Sequence, residues 1–477
     1  MSPPIGLAGF DAVRAEFGLP AAAHSHSFPD SVLSEAEHAA AYALTGEAGD
    51  VGDVVDATDL ALVTIDPPGA RDLDQAMQIT RFRGGFRVHH AIADLAAAVP
   101  AGGALDAEAR RRGQTLYLPD GRIPLYPPQL CERSVSLQPE QLRRAVLWTI
   151  DLDPDGQPAD VLVQRALVRS KAQLDYPGVQ RGLAEGSVHA SLEPLAELGQ
   201  LRRELAVQRG ALALQLPRQR VVPDGDGWRL SLRLRTDVEA WSAEISLLTG
   251  MCAAQLMLGA RIGVLRTVPA PAEDDVQSLR HSALALGLDW PEGAAVATVL
   301  ADLGNADPRT WVLMAAATRM LGGAGYTTFD GDTPSGTFHG GIGAPYAHVT
   351  SPMRRLVDRF GSEVCLAVSA GEPVPEWVRA ALSELPGLMA ASDALAATVE
   401  QFYLAQVEAW LLAERAGESF PAVVLRPLGD GASREIFLPD LALTARCTGE
   451  GLSAGQRITV RVTEADPATR TVTFAPV

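Results

Sequence analysis

Residues 64–76 read TIDPPGARDLDQA, and the fold assignment turns on them. Asp66, Asp72 and Asp74 fall within nine residues, with Pro67, Pro68, Gly69 and Arg71 among them and Gln75 directly after. The apolar run ALVTI before it reads as a strand, and the prolines and glycine turn and stiffen the segment that carries the acids. Carboxylates repel one another, so three on one short loop need a counter-charge. Magnesium fits that need: it takes hard oxygen ligands and keeps several waters, so a few aspartates and a substrate phosphate suit it. Two such ions about 4 Å apart can activate water and stabilise the leaving oxygen in phosphodiester hydrolysis. The competing reading is a solvated acidic turn. A calcium loop of EF-hand type fits poorly, because the aspartate spacing differs and the glycine and closing glutamate are absent.

Beyond this loop, the chain of 477 residues exceeds the usual size of one compact domain, so two or three are expected. A content of 47% hydrophobic and 21% charged residues reads as globular. No uninterrupted apolar run approaches about 18 residues, so no membrane span is expected. The N-terminus lacks a basic region followed by an apolar core, so no signal peptide is read there. Cys131, Cys252, Cys365 and Cys447 form no C-x-x-C pair. A zinc site or disulfide framework is therefore not expected, and a cytosolic location is. The net charge of −18 argues against a sequence-blind nucleic-acid coat. It leaves room for a local basic channel, because Lys171 is the only lysine among 40 basic residues and arginine grips phosphate bidentately. A biased genome gives the same arginine excess.

Residues 1–50 read as helical and Ala-rich, with a break near AHSHSFPD. Short strand-like runs follow from Val51, among them ALVTI and FRVHHAI. Helical patterns then run through SLEPLAELGQLRRELAVQ, EAWSAEISLLTGMCAAQLMLGARI and PRTWVLMAAATRMLGG, and return from VPEWVRAAL to VEQFYLAQVEAWLLAERAG. The last 60 or so residues hold PAVVLRPL, REIFLPDL, RITVRVTEAD and RTVTFAPV between turn residues, the spacing of a small β-barrel.

The pattern T-I-D-P-x-x-A-x-D-x-D resembles the acid signature of the ribonuclease II/R (RNB) family of 3′-to-5′ exoribonucleases. The likeness continues, in order, through HHAIADLAAAVPAGGALDAEARRRGQTLYLPDGRIPLYPPQL, SKAQLDYPGVQ, RGALALQLP and YAHVTSPMRRLVDRF, and the end of the chain looks like the family's S1-type domain. It covers roughly residues 28–477. The resemblance implies an α+β fold: an RNB-type exoribonuclease catalytic core at 51–415 followed by a C-terminal S1-type OB-fold barrel at 416–477. Residues 1–50 are too short for the two cold-shock barrels that relatives often carry.

The same resemblance implies roles. Asp66, Asp72 and Asp74 would ligate Mg²⁺ and position the attacking water, with Asp74 at the chemistry; Gln75 stands where the family has a fourth aspartate, and is read as a weaker metal ligand that could shift preference toward Mn²⁺. Arg354 would neutralise the scissile phosphate, Arg355 would bind another phosphate, and Glu400 would be a catalytic-site glutamate. Tyr117 would stack on a base near the RNA 3′ end, with Leu214 in the place of the aromatic on the other side. Tyr176 and Glu244 would read ribose 2′-hydroxyls. Structural alternatives stand beside each: surface ion pairs for the arginines, a solvated helix position for Glu400, a core tyrosine for Tyr176 and an internal ion pair for Glu244. His89, His90, His339 and His348 lack metal-ligand spacing, and no phosphate-binding G-x-x-x-x-G-K-[ST] loop is present. The barrel's chief aromatics, Phe420 and Phe437, are few for a stacking platform, which suggests backbone guidance. The expected reaction is hydrolysis of single-stranded RNA from its 3′ end to nucleoside 5′-monophosphates by a monomer. The alternatives are an RNA-binding or regulatory relative whose site has lapsed, and a DNA exonuclease.

Overall fold

The computed structural model describes residues 8–22, 26–45, 54–212, 214, 218–224, 227–303, 308–428, 433–441, 443–449 and 451–477. Ala213 and residues 215–217 of the RGALALQLP stretch lie outside the described residues. Helices α1 (Ala8–Glu16) and α2 (Asp30–Thr45) open the fold. Strands β1 (Val55–Asp56), β2 (Val63–Asp66), β3 (Gln75–Phe82) and β4 (Gly85–Ala93) follow, then α3 (Ala104–Arg112) and a small hairpin of β5 (Leu116–Leu118) and β6 (Gly121–Ile123). With β7 (Leu142–Leu152), β8 (Pro158–Arg169) and β9 (Ala172–Asp175) they build a seven-stranded sheet in the order β1-β8-β7-β4-β3-β2-β9, the β5–β6 hairpin standing apart. The β2–β9 and β1–β8 pairs are parallel.

Next come α4 (Tyr176–Glu185), α5 (Leu195–Gln208), the hairpin β10 (Arg218–Asp224) and β11 (Gly227–Arg233), and α6 (Asp237–Ala260). Helix α6 starts cleanly: Thr236 Oγ1 accepts the Glu239 N–H, and the Glu239 carboxylate accepts the Thr236 N–H at 2.8 Å, a closed capping box. It is the central helix, with Ile245, Leu248, Ala253, Ala254 and Met257 fully buried. Truncating Leu248 to Ala there would cost about 2–5 kcal/mol. Among the described residues α6 is also the helix long and apolar enough to cross a membrane; half of its 24 residues are buried within the fold.

The chain continues through β12 (Ile262–Thr267), α7 (Glu273–Ala285), α8 (Val296–Asp302), α9 (Pro308–Thr318), β13 (Gly325–Asp330), β14 (Phe338–His339) and β15 (Ala344–Pro345). Then come α10 (Leu356–Ala370), α11 (Glu376–Leu382) and the long α12 (Leu385–Ala413). Between β15 and α10 the stretch from Tyr346 to Arg355 is drawn onto α6. The Ala347 N–H donates to the Gly250 carbonyl at 3.0 Å, and a Cβ on Gly250 would stand 2.1 Å from the Tyr346 ring, so only glycine allows this approach.

Strands β16 (Ser419–Pro427), β17 (Ser433–Leu438), β18 (Leu443–Thr448), β19 (Arg457–Asp466) and β20 (Thr471–Pro476) close a barrel in the order β16-β17-β18-β20-β19. Phe420 and Phe474 meet edge to face in the barrel core, whereas Phe437, between the buried Ile436 and Leu438, points outward and packs edge-on against Trp311 of α9. Neither Phe420 nor Phe437 offers a stacking platform, and the open face of β19 carries Arg457 and Arg461 instead. All four cysteines are buried and unpaired. Cys131, Cys252 and Cys365 lie in the main core and Cys447 in the barrel core.

Candidate active site

Strand β2 ends at Asp66, and the antiparallel partner β3 begins just after Asp74. The two strands pair at Val63 and Met77, so both acids lie at the ends of the strands, on the same side of that pair. On its other side Asp74 is tied to β4, where the Ala93 N–H donates to the Asp74 carbonyl at 2.9 Å. The turn between them is held from outside. Ser136 Oγ donates to the Arg71 carbonyl at 2.7 Å and accepts the Leu73 N–H at 3.0 Å, and Leu137 N–H reaches the Leu73 carbonyl at 3.0 Å. Gly69 takes φ 82° within the turn, a left-handed conformation that favours glycine.

Two of the three carboxyls are strongly perturbed. Burial pushes Asp66 up to about 7, against the pull of Arg354 and with the repulsion of Asp72. Burial likewise pushes Asp74 to about 7, opposed by Arg354 and the Met353 N–H and reinforced by Asp72 and Asp358. Asp66 Oδ2 is buried without a hydrogen-bond partner. Asp72 instead meets Arg122 of β6, at 2.7 Å, and the same guanidinium reaches Glu132 at 2.5 Å. Arg122 escaped the sequence reading, although it lies in the YLPDGRIP stretch, because nothing in the local pattern ties it to a loop 50 residues upstream.

The T-S-P-x-R-R turn closes over the acids. The Met353 N–H donates to Asp74 Oδ1 at 2.9 Å. Arg354 Nε lies 3.8 Å from Asp74 Oδ2 and its Nη2 donates to Ser351 Oγ at 2.8 Å. The Arg354 side chain is still 49% exposed, so donors remain for an incoming anion. The β5 lead-in is stitched to the same turn, with Thr115 N–H donating to the Arg354 carbonyl at 3.0 Å. Tyr117 follows, its ring 59% exposed. Its hydroxyl is nevertheless raised by desolvation and feels Arg354, Asp72, Asp74 and Arg122. Tyr176, the first residue of α4, is half-buried. Its hydroxyl is raised by burial and by Asp66, with Arg354 and Ser242 opposing. Asp66, Asp72, Asp74, Arg354, Tyr117 and Tyr176 thus share one electrostatic neighbourhood.

Five expected site residues are placed elsewhere. Gln75 Oε1 accepts from Ser246 Oγ at 2.8 Å and pairs with His90 Nε2 at 3.0 Å. His90 is fully buried, with Nδ1 2.8 Å from Thr249 Oγ1, and burial lowers it to about 3. A neutral imidazole donating from Nε2 satisfies this arrangement. Both lone pairs of the amide oxygen are therefore engaged with α6 and β4, and Gln75 is not a metal ligand here. Glu244 faces away from Tyr176: Ser242 lies beside Tyr176, whereas Glu244, two residues on and so across the helix, is buried near Arg202 and Arg209. Arg355 is held by Asp358 through Nε at 2.5 Å and Nη2 at 2.8 Å, so its fork is occupied. Glu400 is exposed on α12, and among the described contacts none ties it to the acids. Leu214 packs against the cluster of Leu212, Leu279 and Leu313 rather than standing free as a second clamp face.

The donor set fits a divalent cation. Asp66 and Asp74 are two desolvated hard oxygen donors that share the fields of Arg354 and Asp72, one Asp66 oxygen is orphaned, and magnesium needs only a few protein ligands beside water and phosphate. With Asp72 drawn to Arg122, no three metal-binding side chains converge among the described residues as they stand. Asp72 would join by leaving that ion pair.

The RNB domain matches residues 54–360, and the RNase II-type exonuclease C-terminal S1 domain matches residues 418–477. The exosome complex exonuclease RRP44 homolog A of Arabidopsis thaliana is 29% identical over 328 residues, 65% of this chain and 35% of the relative. Ribonuclease R of Mycoplasma genitalium is 27% identical over 320 residues, 63% of this chain and 43% of the relative. The chain therefore spans less than half the length of these curated relatives. The apo structure of Mycoplasma genitalium RNase R superposes with a TM-score of 0.85 at 20% identity, over 99% of this chain and 78% of that one.

Proposed function

The chain belongs to the RNB family, and from that premise we propose that it is a hydrolytic exoribonuclease that shortens single-stranded RNA from the 3′ end, releasing nucleoside 5′-monophosphates. The observation that carries this reading is the convergence of the desolvated Asp66 and Asp74 carboxyls on a half-exposed Arg354, with the exposed Tyr117 in the same electrostatic neighbourhood. When bound, a divalent cation would supply Lewis-acid stabilisation of the phosphoryl oxygens and lower the pKa of water. Asp66 and Asp74 hold it, joined by Asp72. Arg354 binds the non-bridging oxygens of the scissile phosphate and is itself oriented by Ser351 and Asp74. Tyr117 stacks on a terminal base without regard to its identity. Tyr176 offers a hydroxyl to the ribose, the group that separates RNA from DNA. The barrel at 416–477 guides backbone through its arginines, and the core at 51–415 cuts.

The second reading, an RNA-binding relative with a lapsed site, is favoured by the engaged oxygen of Gln75 and the exposed position of Glu400. One assay decides. End-labelled RNA and DNA, each with Mg²⁺ or with chelator, should give stepwise shortening of RNA alone and only with Mg²⁺. Binding without shortening under every condition would overturn the enzymatic reading and leave the second.

A further inference from the structure

Tyr117 stands on a hairpin whose strands have three residues each. A two-stranded ribbon of that size is not stable on its own, and a ring 59% exposed receives little packing that would fix it. Something else must set its position. Both ends of the segment Ala104–Ile123, which comprises α3 and the hairpin, are held by the N-terminal helices. At the start, Glu35 of α2 accepts the Ala104 N–H at 2.5 Å, capping α3 from another element. In the middle, Arg112 Nη2 donates to the Ser27 carbonyl at 2.9 Å, and its guanidinium lies 3.8 Å from the centre of the Phe28 ring. At the hairpin turn, Arg14 of α1 grips Asp120 bidentately, Nε and Nη2 each at 2.8 Å, with both side chains fully buried. Tyr403 of α12 donates to the same carboxylate at 3.4 Å. Around this pair Phe10 packs on Tyr403, Trp228 and Trp410, and Leu118, next to Tyr117, joins the cluster.

We propose that α1 and α2 form a positioning clamp for Ala104–Ile123, and that the buried Arg14–Asp120 pair sets where the Tyr117 ring meets the RNA end. The pair has the character that positioning demands. A buried ion pair adds little net stability over apolar residues of the same size, but its two-pronged geometry fixes one orientation. Tyr117 and Arg122 are directly paired across the hairpin, and Arg122 holds Asp72. The clamp therefore reaches the acid loop through two residues. Arg14 and Glu35 are positioning residues; they act through Tyr117. The inference rests on the reading of Tyr117 as a stacking platform.

The test is a coupling measurement in the full chain. Affinity for a labelled single-stranded oligoadenylate is measured in an Asp74→Asn background, so that binding is read without turnover. Tyr117→Ala should weaken it about tenfold, within the range for one lost base stack. Arg14→Met/Asp120→Leu removes the pair without leaving a buried unpaired charge. It should keep the melting temperature near the parent value and weaken binding by about the same tenfold. Adding Tyr117→Ala to it should then cost nothing more. Parental affinity in the double variant, or losses that multiply, would overturn the clamp. Parental affinity in Tyr117→Ala would sink the stacking reading and the clamp with it. Intact coupling beside a failed hydrolysis assay would sink the activity alone. Should the double variant not fold, Glu35→Gln at the other end serves: its loss of affinity should vanish in the Tyr117→Ala background, and a loss that persists there overturns the proposal.

Discussion

The carboxylate of Asp74 accepts the backbone N–H of Met353 at 2.9 Å, joining positions 279 residues apart and setting Arg354, the next residue, with its Nε 3.8 Å from Asp74 Oδ2. An asparagine keeps an oxygen for that N–H and loses the charge. Asp74→Asn should therefore retain its melting temperature and its RNA affinity while hydrolysis falls by about a hundredfold or more. Turnover near the wild-type rate would remove Asp74 from the chemistry.

Gln75 yields the opposite expectation to the one its position next to Asp74 suggests. Its oxygen ties β3 to α6 and His90, and a shorter aspartate would lose both contacts. Gln75→Asp should bind Mg²⁺ no more tightly than wild type by calorimetry, and should be destabilised by about 1–3 kcal/mol, the cost of buried donors left unpaired. A markedly lower Mg²⁺ dissociation constant would show that the side chain reaches the cation after all.

Sugar discrimination should follow Tyr176 and not Glu244. Tyr176→Phe, which removes only the hydroxyl, should narrow the ratio of RNA to DNA turnover at little cost in stability. Glu244→Ala should leave that ratio unchanged and lower the melting temperature, because Arg202 and Arg209 lose their buried counter-charge. The reverse pattern would return Glu244 to the ribose.

His90 should make the fold acid-sensitive. The unfolded chain takes up a proton near pH 6.5, whereas the buried ring resists until about 3. A depressed folded pKa means that the contribution is complete above pH 6.5 and is lost as pH falls from there toward 3. The slope approaches about 1.4 kcal/mol per pH unit inside that window. Urea midpoints measured across it should fall less steeply in His90→Gln, and parallel curves would refute the assignment.

The sequence carried the architecture where signals are local. The acid loop, the T-S-P-x-R-R turn, Tyr117, the long helices and the terminal barrel are each written in a contiguous run, and the structure has them. Orientation across helices was not legible. Helix α6 is apolar almost all the way round, so no stripe said that Ser242, Ser246 and Thr249 face the sheet while Glu244 faces α5. Likewise Gln75 looked like a ligand because it follows Asp74, but consecutive residues at the head of a strand point to opposite sides. Arg122, Arg14 and Glu35 act on partners far along the chain, and no spacing rule reaches that distance. The hairpin β10–β11 was missed for another reason: its segment, RQRVVPDGDGWRLSLR, is rich in arginine and interrupted by a proline, which masks the strand signal.

The burial of all four thiols has a kinetic consequence. Desolvation raises each of them, Cys252 to about 12, so an alkylating reagent meets almost no thiolate until the chain around it opens. Cys447 then reports fraying of the barrel, and Cys131, Cys252 and Cys365 report opening of the catalytic core. Four natural residues thus serve as two independent clocks, and an RNA long enough to touch both units should slow them together, while a mononucleotide slows only the second.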